Sequence, residues 1–349
     1  LCAWEKEAPT RVALTQPMGD GSVRDFTWSE LAGEVRRMAG HLQSIGIQPG
    51  DKVAILSKNC AWWLMSDLAI WMSGGVSVPL YPTLAPDTIA HILKHSEARA
   101  CFIGKLDGWE AMAPGVPADL PCISYALSPD SARKAYPLWD TLCKAAKPIT
   151  GQPVRGGEDL ATLIYTSGTT GMPKGVMHNF NNFAWALDAG IRRLPMGKDD
   201  RMLSYLPLAH VVERVLVEHG WLRTGMHVFF ADSLDTFTTD MQRARPTIFF
   251  SVPRLWVKFQ QAIQHKMPEH KLQRLLGLPL IGGLVRRKIQ KTLGLDQARI
   301  CAGGAAPMPL ALLQWYSKLG ISINEGYGMT ENLAVSHITV PGKNQQGSV

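Results

Sequence analysis

"LIYTSGTTGMPKGVMH", residues 163–178, sets a short apolar run before a segment of hydroxyl residues, glycines and one lysine. The apolar run reads as the end of a strand, "ATLIYT" at 161–166. The turn after it is made of small residues. Glycines let backbone N–H groups approach an anion, and Thr166, Ser167, Thr169 and Thr170 add hydroxyl donors. Lys174 supplies the compact charge that suits a polyphosphate. The Walker pattern, GxxxxGK followed by Ser or Thr, is not met. From Gly168 the segment runs GTTGMPKG, which misplaces Gly171 and sets Gly175 behind the lysine. A P-loop NTPase is therefore disfavoured. A flexible linker is the competing reading, but a linker needs neither the preceding strand nor the Pro-Lys-Gly within it.

Working outward, strand and helix signals alternate along most of the chain. "RVALTQ", "KVAILS", "VSVPLY" and "ACFIG" read as strands in the first third. "WSELAGEVRRMAGHLQSIG" has helical apolar spacing and a glycine stop, and "PDTIAHILKHSEA" is a second helix. "AWWLMSDLAIWMSGG" from Ala61 carries Asp67, is too short to span a bilayer, and reads as a buried helix. Beyond a Pro- and Ser-rich passage near 106–157, "RMLSYLP", "HVFFA", "TIFFSV", "ARICAGGA" and "ISINEGYG" continue the series. Such alternation implies an α/β fold of mainly parallel sheets flanked by helices. About ten strands exceed what one sheet comfortably carries, so two stacked sheets are expected. Ligands in such folds sit beyond the carboxyl ends of strands. Three Gly-rich turns, 167–175, 302–306 and 326–328, follow strands and converge on one expected site.

Composition narrows the class of function. Hydrophobic residues make 46% of the 349 positions and charged residues 19%, which is globular rather than disordered usage. The net charge of +7 favours anionic ligands, but no dense basic stripe interleaves with aromatics, so no nucleic-acid partner is expected. The six cysteines form no CxxC pair, which points to neither zinc nor a disulfide framework and to a reducing, cytoplasmic compartment.

The loop from Thr166 to Gly175 resembles the signature of the adenylate-forming superfamily, the acyl-CoA synthetases, luciferases and adenylation domains of peptide synthetases. The resemblance implies that Thr166, Ser167, Gly168, Thr169, Thr170, Gly171 and Lys174 embrace the β- and γ-phosphates of ATP. "EGYGMTE", residues 325–331, looks like the second signature. There the resemblance places Glu325, Gly326, Tyr327, Gly328 and Thr330 at the nucleotide, with Tyr327 stacked on adenine and Thr330 at a phosphate. It gives Mg²⁺ to Glu331 together with Thr166. These roles are chemically apt: a flat π face for a base, a hydroxyl for an oxyanion, a hard oxygen for a hard cation. "CAGGAAP", residues 301–307, resembles the strand-end turn along adenine and the acyl pocket, through Gly303, Gly304, Ala305, Ala306 and Pro307. "YLPLAHVVER", residues 205–214, puts His210 at the family position near the reacting carboxylate, and Trp256 is expected to help line an acyl tunnel.

"PLAHVVER", "SVPRLWVKF" and residues 271–296 resemble the long-chain acyl-CoA synthetases in particular. Arg214 stands where some relatives carry a tryptophan that gates the tunnel, so neither gating nor chain length is read from it. The implied activity joins a fatty acid to AMP from ATP and then passes the acyl group to CoA. Lys174, Thr330, Glu331 and His210 are the catalytic candidates. Two other readings stay open. One is an acyl-AMP ligase or another acyl or aryl specificity; the other is a non-catalytic acyl- or nucleotide-binding module. The family continues past the second signature with a ribose-gripping aspartate, a hinge and a small lid domain bearing a lysine. None of these is found before Val349, so an N-terminal domain fragment, nearly inactive alone, is expected. Its subdomains are expected to be discontinuous, 53–199 for one sheet and 1–52 with 200–349 for the other. Residues 271–296 are basic and apolar together, which suits either a packed helix pair or peripheral contact with an inner membrane surface. The resemblance also leaves room for a homodimer.

Overall fold

A computed structural model describes residues 1–153, 155–166, 171–342 and 346–347. Strands β1 (Val12–Pro17) and β2 (Val23–Thr27) form a hairpin, and the chain then enters a second sheet. That sheet holds β3 (Lys52–Leu56), β4 (Val76–Leu80), β5 (Ala98–Ile103), β6 (Cys122–Ser124), β7 (Leu160–Thr166) and β8 (Lys174–Asn179). Its spatial order is β6-β5-β3-β4-β7-β8. Strands β9 (Arg201–Ser204) and β10 (His227–Phe230) return to the first sheet, ordered β2-β1-β10-β9. A third sheet follows in sequence: β11 (Ile248–Ser251), β12 (Ile300–Gly303), β13 (Ile323–Tyr327) and β14 (His337–Ile338). Pairing is parallel except at one edge of each sheet, where β2, β8 and β14 run antiparallel to their neighbours.

The α/β class with mainly parallel sheets and flanking helices is as expected, but the sheets number three rather than two. The two sheets of the second half meet at Thr247. Its N–H donates to the Arg201 carbonyl and its hydroxyl accepts from the Arg201 N–H, so the starts of β9 and β11 touch. No strand pairing continues from that contact, and the second half of the chain is shared between two sheets.

Burial explains why the central strands read so plainly. In β3, Val53 and Ile55 face one core while Ala54 and Leu56 face another, so the strand is apolar on both sides. Helices Trp28–Ser44 and Ala61–Ser73 fill the first of these cores, against Leu14 of β1, Val228 of β10 and Phe102 of β5. Helix Trp28–Ser44 starts at a capping box: Thr27 accepts from the Glu30 N–H while the Glu30 carboxylate accepts from the Thr27 N–H. Helix Ala61–Ser73 is mostly apolar and buried on nearly every side, its Ser66 and Asp67 included, and it stops at Gly74 in the left-handed conformation, φ 97°. Among the described residues, no helix is long and apolar enough to cross a membrane.

Candidate active site

Strands β7 and β8 make a hairpin whose last register pair is Thr166 opposite Lys174. The connecting turn falls at 167–173, of which Ser167, Gly168, Thr169 and Thr170 lie outside the described residues. Gly171 follows with φ +125°, a conformation that side-chain-bearing residues rarely adopt. Lys174 is exposed and forms no ion pair among the described residues. Thr166 is half-buried at the end of the strand.

His178, further along β8, was not singled out from the sequence. It is buried, and its Nε2 donates to the Thr330 carbonyl at 2.8 Å. That bond ties the β7–β8 hairpin to the 325–331 segment. Burial holds the imidazole below its ordinary value, so it sits neutral against the carbonyl. Glu331 is close enough to act on it electrostatically. A histidine in a short edge strand gives no local signal of a contact that spans 152 positions.

The second signature turns at the end of β13 under tight steric limits. A Cβ on Gly328 would stand 2.3 Å from Ala334 Cα, so only glycine fits there. A Cβ on Gly304 would stand 2.8 Å from the Gly326 carbonyl oxygen, which lets the ends of β12 and β13 approach. Tyr327 is 53% exposed, its ring 6.1 Å from that of His337, so one face is free for a flat ligand. Glu325 is buried instead, its carboxylate accepting from the Gly347 N–H.

A cavity of about 720 Å³ opens against these turns. His210, Ala305, Gly326, Tyr327, Gly328 and Thr330 line it. So do the apolar side chains of Leu187, Val215, Leu216, Ile248 and Ile300, with Gly190 leaving open space. Trp256 does not line it. That side chain is fully buried in a separate core, edge-on to Phe249 and Tyr316, and serves packing. Gly303, Gly304, Ala306 and Pro307 also stand outside the lining, as do Thr166, Lys174 and Glu331.

His210 caps a short helix, Val211–Glu213, with Nδ1 accepting from the Val212 N–H at 3.2 Å. Burial lowers its pKa, so the ring is neutral with Nε2–H left to donate. The loop that presents it is fixed from below. Asn59 donates to Ser204 Oγ and the Leu206 carbonyl, while its Oδ1 accepts from the Leu208 N–H. Glu213 Oε1 accepts from the Ser204 hydroxyl at 2.8 Å and from the Tyr205 N–H at 3.0 Å. Burial pushes the Glu213 carboxyl from 4.5 up to about 8, against these hydrogen bonds. The folded chain therefore keeps a proton there that the unfolded chain has released. Its stabilising effect is full below pH 4.5 and lost as the pH rises through about 8. Glu213→Gln, which cannot titrate, should gain on the parent by about 1.4 kcal/mol per pH unit across that window. Denaturant melts of both proteins at several pH values check this; a constant difference would contradict it.

Behind the cavity wall, residues Arg214–His219 form a π-helical turn, a widened geometry that gathers at functional sites. Arg214 is fully buried, with Nη2 2.5 Å from Asp67 Oδ2 and Nε 3.2 Å from Glu218 Oε2. The guanidinium also lies over Trp63 at 5.3 Å and Trp71 at 5.7 Å. Burial drives Glu218 well above and His219 well below their ordinary values, which leaves both neutral around the Asp67–Arg214 pair. His219 stacks on Phe183 at 3.8 Å. Arg214 is absent from the lining; its neighbours Val215 and Leu216 face the cavity instead.

Mg²⁺ usually keeps several waters and takes one or two carboxylates plus substrate phosphates, so no dense ligand cluster is needed. Among the described residues no group of three His, Cys, Asp or Glu could hold a metal. The exposed Glu331, unpaired among the described residues and held near β8 through His178, fits that limited demand.

The family described as "AMP-binding enzyme" matches residues 2–349. The long-chain-fatty-acid–CoA ligase FadD15 of Mycobacterium bovis is 28% identical over 94% of this chain and 59% of its own length. The long-chain-fatty-acid–CoA ligase ACSBG2 of Rattus norvegicus is 28% identical over 88% of this chain and 52% of its own. The chain thus spans a little over half the length of these relatives. A solved benzoate CoA ligase from Burkholderia xenovorans LB400 superposes with a TM-score of 0.77. It covers 99% of this chain and 63% of the solved one at 20% identity, a likeness of fold alone.

Proposed function

Because the chain belongs to the AMP-binding enzyme family, we propose that it activates a long-chain fatty acid as its adenylate for transfer to CoA. The observation that carries this reading is the shared cavity. Tyr327 and Thr330 of the second signature line the same space as Leu187, Val215, Leu216 and Ile248, so an apolar acid and a nucleotide can meet there. The acid's carboxylate oxygen attacks the α-phosphorus of ATP, the bond to the bridging oxygen breaks, and pyrophosphate leaves. In the second half-reaction the thiol of CoA attacks the acyl carbon, and AMP departs with the bonding pair.

Tyr327 offers its exposed face to adenine. Thr330 and the donors of the 166–175 turn hold phosphate oxygens, and Lys174 meets the charge that grows on them. His210, neutral and with Nε2–H free, orients the acid's carboxyl group without holding it as an ion pair. Glu331 and Thr166 would hold Mg²⁺, which supplies charge neutralisation at the phosphates when bound. The long-chain names of the curated relatives support the fatty acid over an aryl acid, as does the number of aliphatic side chains around the cavity.

Affinity measured by calorimetry over a series of saturated acids tests the substrate class. Each added methylene should tighten binding by about 0.8 kcal/mol, roughly fourfold, until the cavity is filled. Affinity that stays flat from short to long acids would favour an aryl or short-acyl substrate instead.

A further inference from the structure

We propose that the helical hairpin Glu269–Leu293 is a docking surface for an anionic phospholipid membrane. Helices Glu269–Leu276 and Ile281–Leu293 pack through Leu272, Leu276, Ile289 and Leu293, which are buried in the core. A Cβ on Gly282 would stand 2.4 Å from the Leu276 carbonyl oxygen, so the helices meet closely. Arg286 locks the arrangement by donating to the Lys318 carbonyl at 2.8 Å. The inward face of the hairpin is therefore complete.

Its outer face is not accounted for by packing. Leu278, Leu280, Ile281 and Leu284 stand exposed around the tip, Leu280 by 90% and Leu284 by 70%. Leu280 also takes φ +64°, the left-handed region where glycine would be free of strain. A leucine there brings strain and exposed apolar surface at once, and neither stabilises the chain in water. Behind the tip, Leu284, Arg287, Lys288 and Lys291 follow one another at helical spacing on one exposed stripe. Lys271 and Arg274 add two exposed cations on the other helix.

From His270 to Gly294 there is no Asp or Glu and there are six Lys or Arg. Among the described residues, none of Lys271, Arg274, Arg287, Lys288 and Lys291 forms an ion pair. An apolar tip backed by unpaired cations complements a bilayer whose surface is anionic and whose interior is apolar. A protein partner or a second copy would need acidic groups placed opposite these cations, whereas a lipid surface supplies negative charge at any position.

The test is co-sedimentation of the protein with vesicles of phosphatidylcholine containing about one third phosphatidylglycerol, against vesicles of phosphatidylcholine alone. No nucleotide or acid is present, so the result does not depend on the enzymatic reading. The parent should bind the anionic vesicles, release as salt is raised, and ignore the neutral ones. Leu280→Asp with Leu284→Asp should lose about tenfold or more in binding. Arg287→Glu with Lys288→Glu and Lys291→Glu should lose at least about a hundredfold, since each surface cation contributes roughly fivefold. Both variants should keep the parent's melting temperature, because every substituted side chain is exposed. Equal binding to neutral vesicles, no binding by the parent, or full binding by both variants overturns the proposal. A dimer in analytical ultracentrifugation that Leu280→Asp dissociates, without vesicle binding, assigns the surface to a second copy instead.

Discussion

Replacing Lys174 by alanine is expected to slow adenylate formation by about two to three orders of magnitude, the loss usual for one preorganised charge. The expectation rests on where the side chain starts. Lys174 is the first residue of β8 and pairs in register with Thr166, so its Cα is fixed by a strand rather than carried on a loop. The side chain is exposed and makes no ion pair among the described residues, which leaves its charge for a ligand. Phosphate charge grows as the acid displaces pyrophosphate, so the loss should fall more on turnover than on ATP affinity. Lys174→Arg should recover only part of the rate, because a planar fork does not replace a compact ammonium. Pyrophosphate release by the protein with ATP, Mg²⁺ and a long-chain acid reads the effect. An alanine variant that turns over like the parent would remove Lys174 from the catalytic set. The fold should not suffer, since exposed substitutions of this kind stay within about 0.5 kcal/mol.

Arg214→Met should destabilise the chain by about 3–5 kcal/mol, because it leaves the Asp67 carboxylate buried without its partner. Asp67 and Arg214 are both fully buried, and they join helix Ala61–Ser73 to the π-helical turn. Glu218 alongside, protonated by its burial, can donate a hydrogen bond to Asp67 but brings no positive charge to replace the guanidinium. Adding Asp67→Leu to Arg214→Met removes the stranded charge, and the double variant should regain most of the loss. Denaturant unfolding of the two single variants and the double one gives the coupling directly. If the single losses simply add, the two groups are not a coupled pair. The same cycle read in fatty-acid affinity should show how far Val215 and Leu216 depend on the pair for their position in the cavity wall.

Ten strands are legible in the sequence because most are apolar runs covered by protein on both faces. The strands that escape are short or lie at edges. β2, β8 and β14 each pair antiparallel at the rim of a sheet, where one side meets solvent and no continuous apolar run is required. β6 is three residues long and sits in the Pro- and Ser-rich passage. The third sheet escapes for another reason: the parting of β9 from β11 at Thr247 is a tertiary event with no local composition to announce it.

Site residues divide in the same way. The signature turns declare themselves by glycine, as at Gly328 and Gly304, where a Cβ would collide. Glu213, Arg214 and Glu218 look like the solvated face of a helix, yet all three are buried. Their partners, Asn59 and Asp67, lie far away in sequence. Trp256, a large aromatic beside a ligand motif, is fully buried in a core apart from the cavity, and nothing local in the sequence marks that placement.

The pairing of β1 with β10 has a consequence for how this chain is made. Thr15 and His227 share a hydrogen bond although they are 212 positions apart, and Leu14 pairs with Val228. At a synthesis rate of about 5–20 residues per second, β1 leaves the ribosome roughly 10–40 seconds before β10 exists. During that interval the free edge of β1, at Leu14 and Thr15, has no neighbouring strand to pair with. The second sheet has no such wait, for β3 to β8 are contiguous in sequence and can close first. Closure of the first sheet is then a late, long-range step, slow by the rule that distant contacts are reached last. A nascent chain halted before residue 227 should accordingly hold its N-terminal hairpin open to protease and to chaperones, and one extended through Phe230 should shield it.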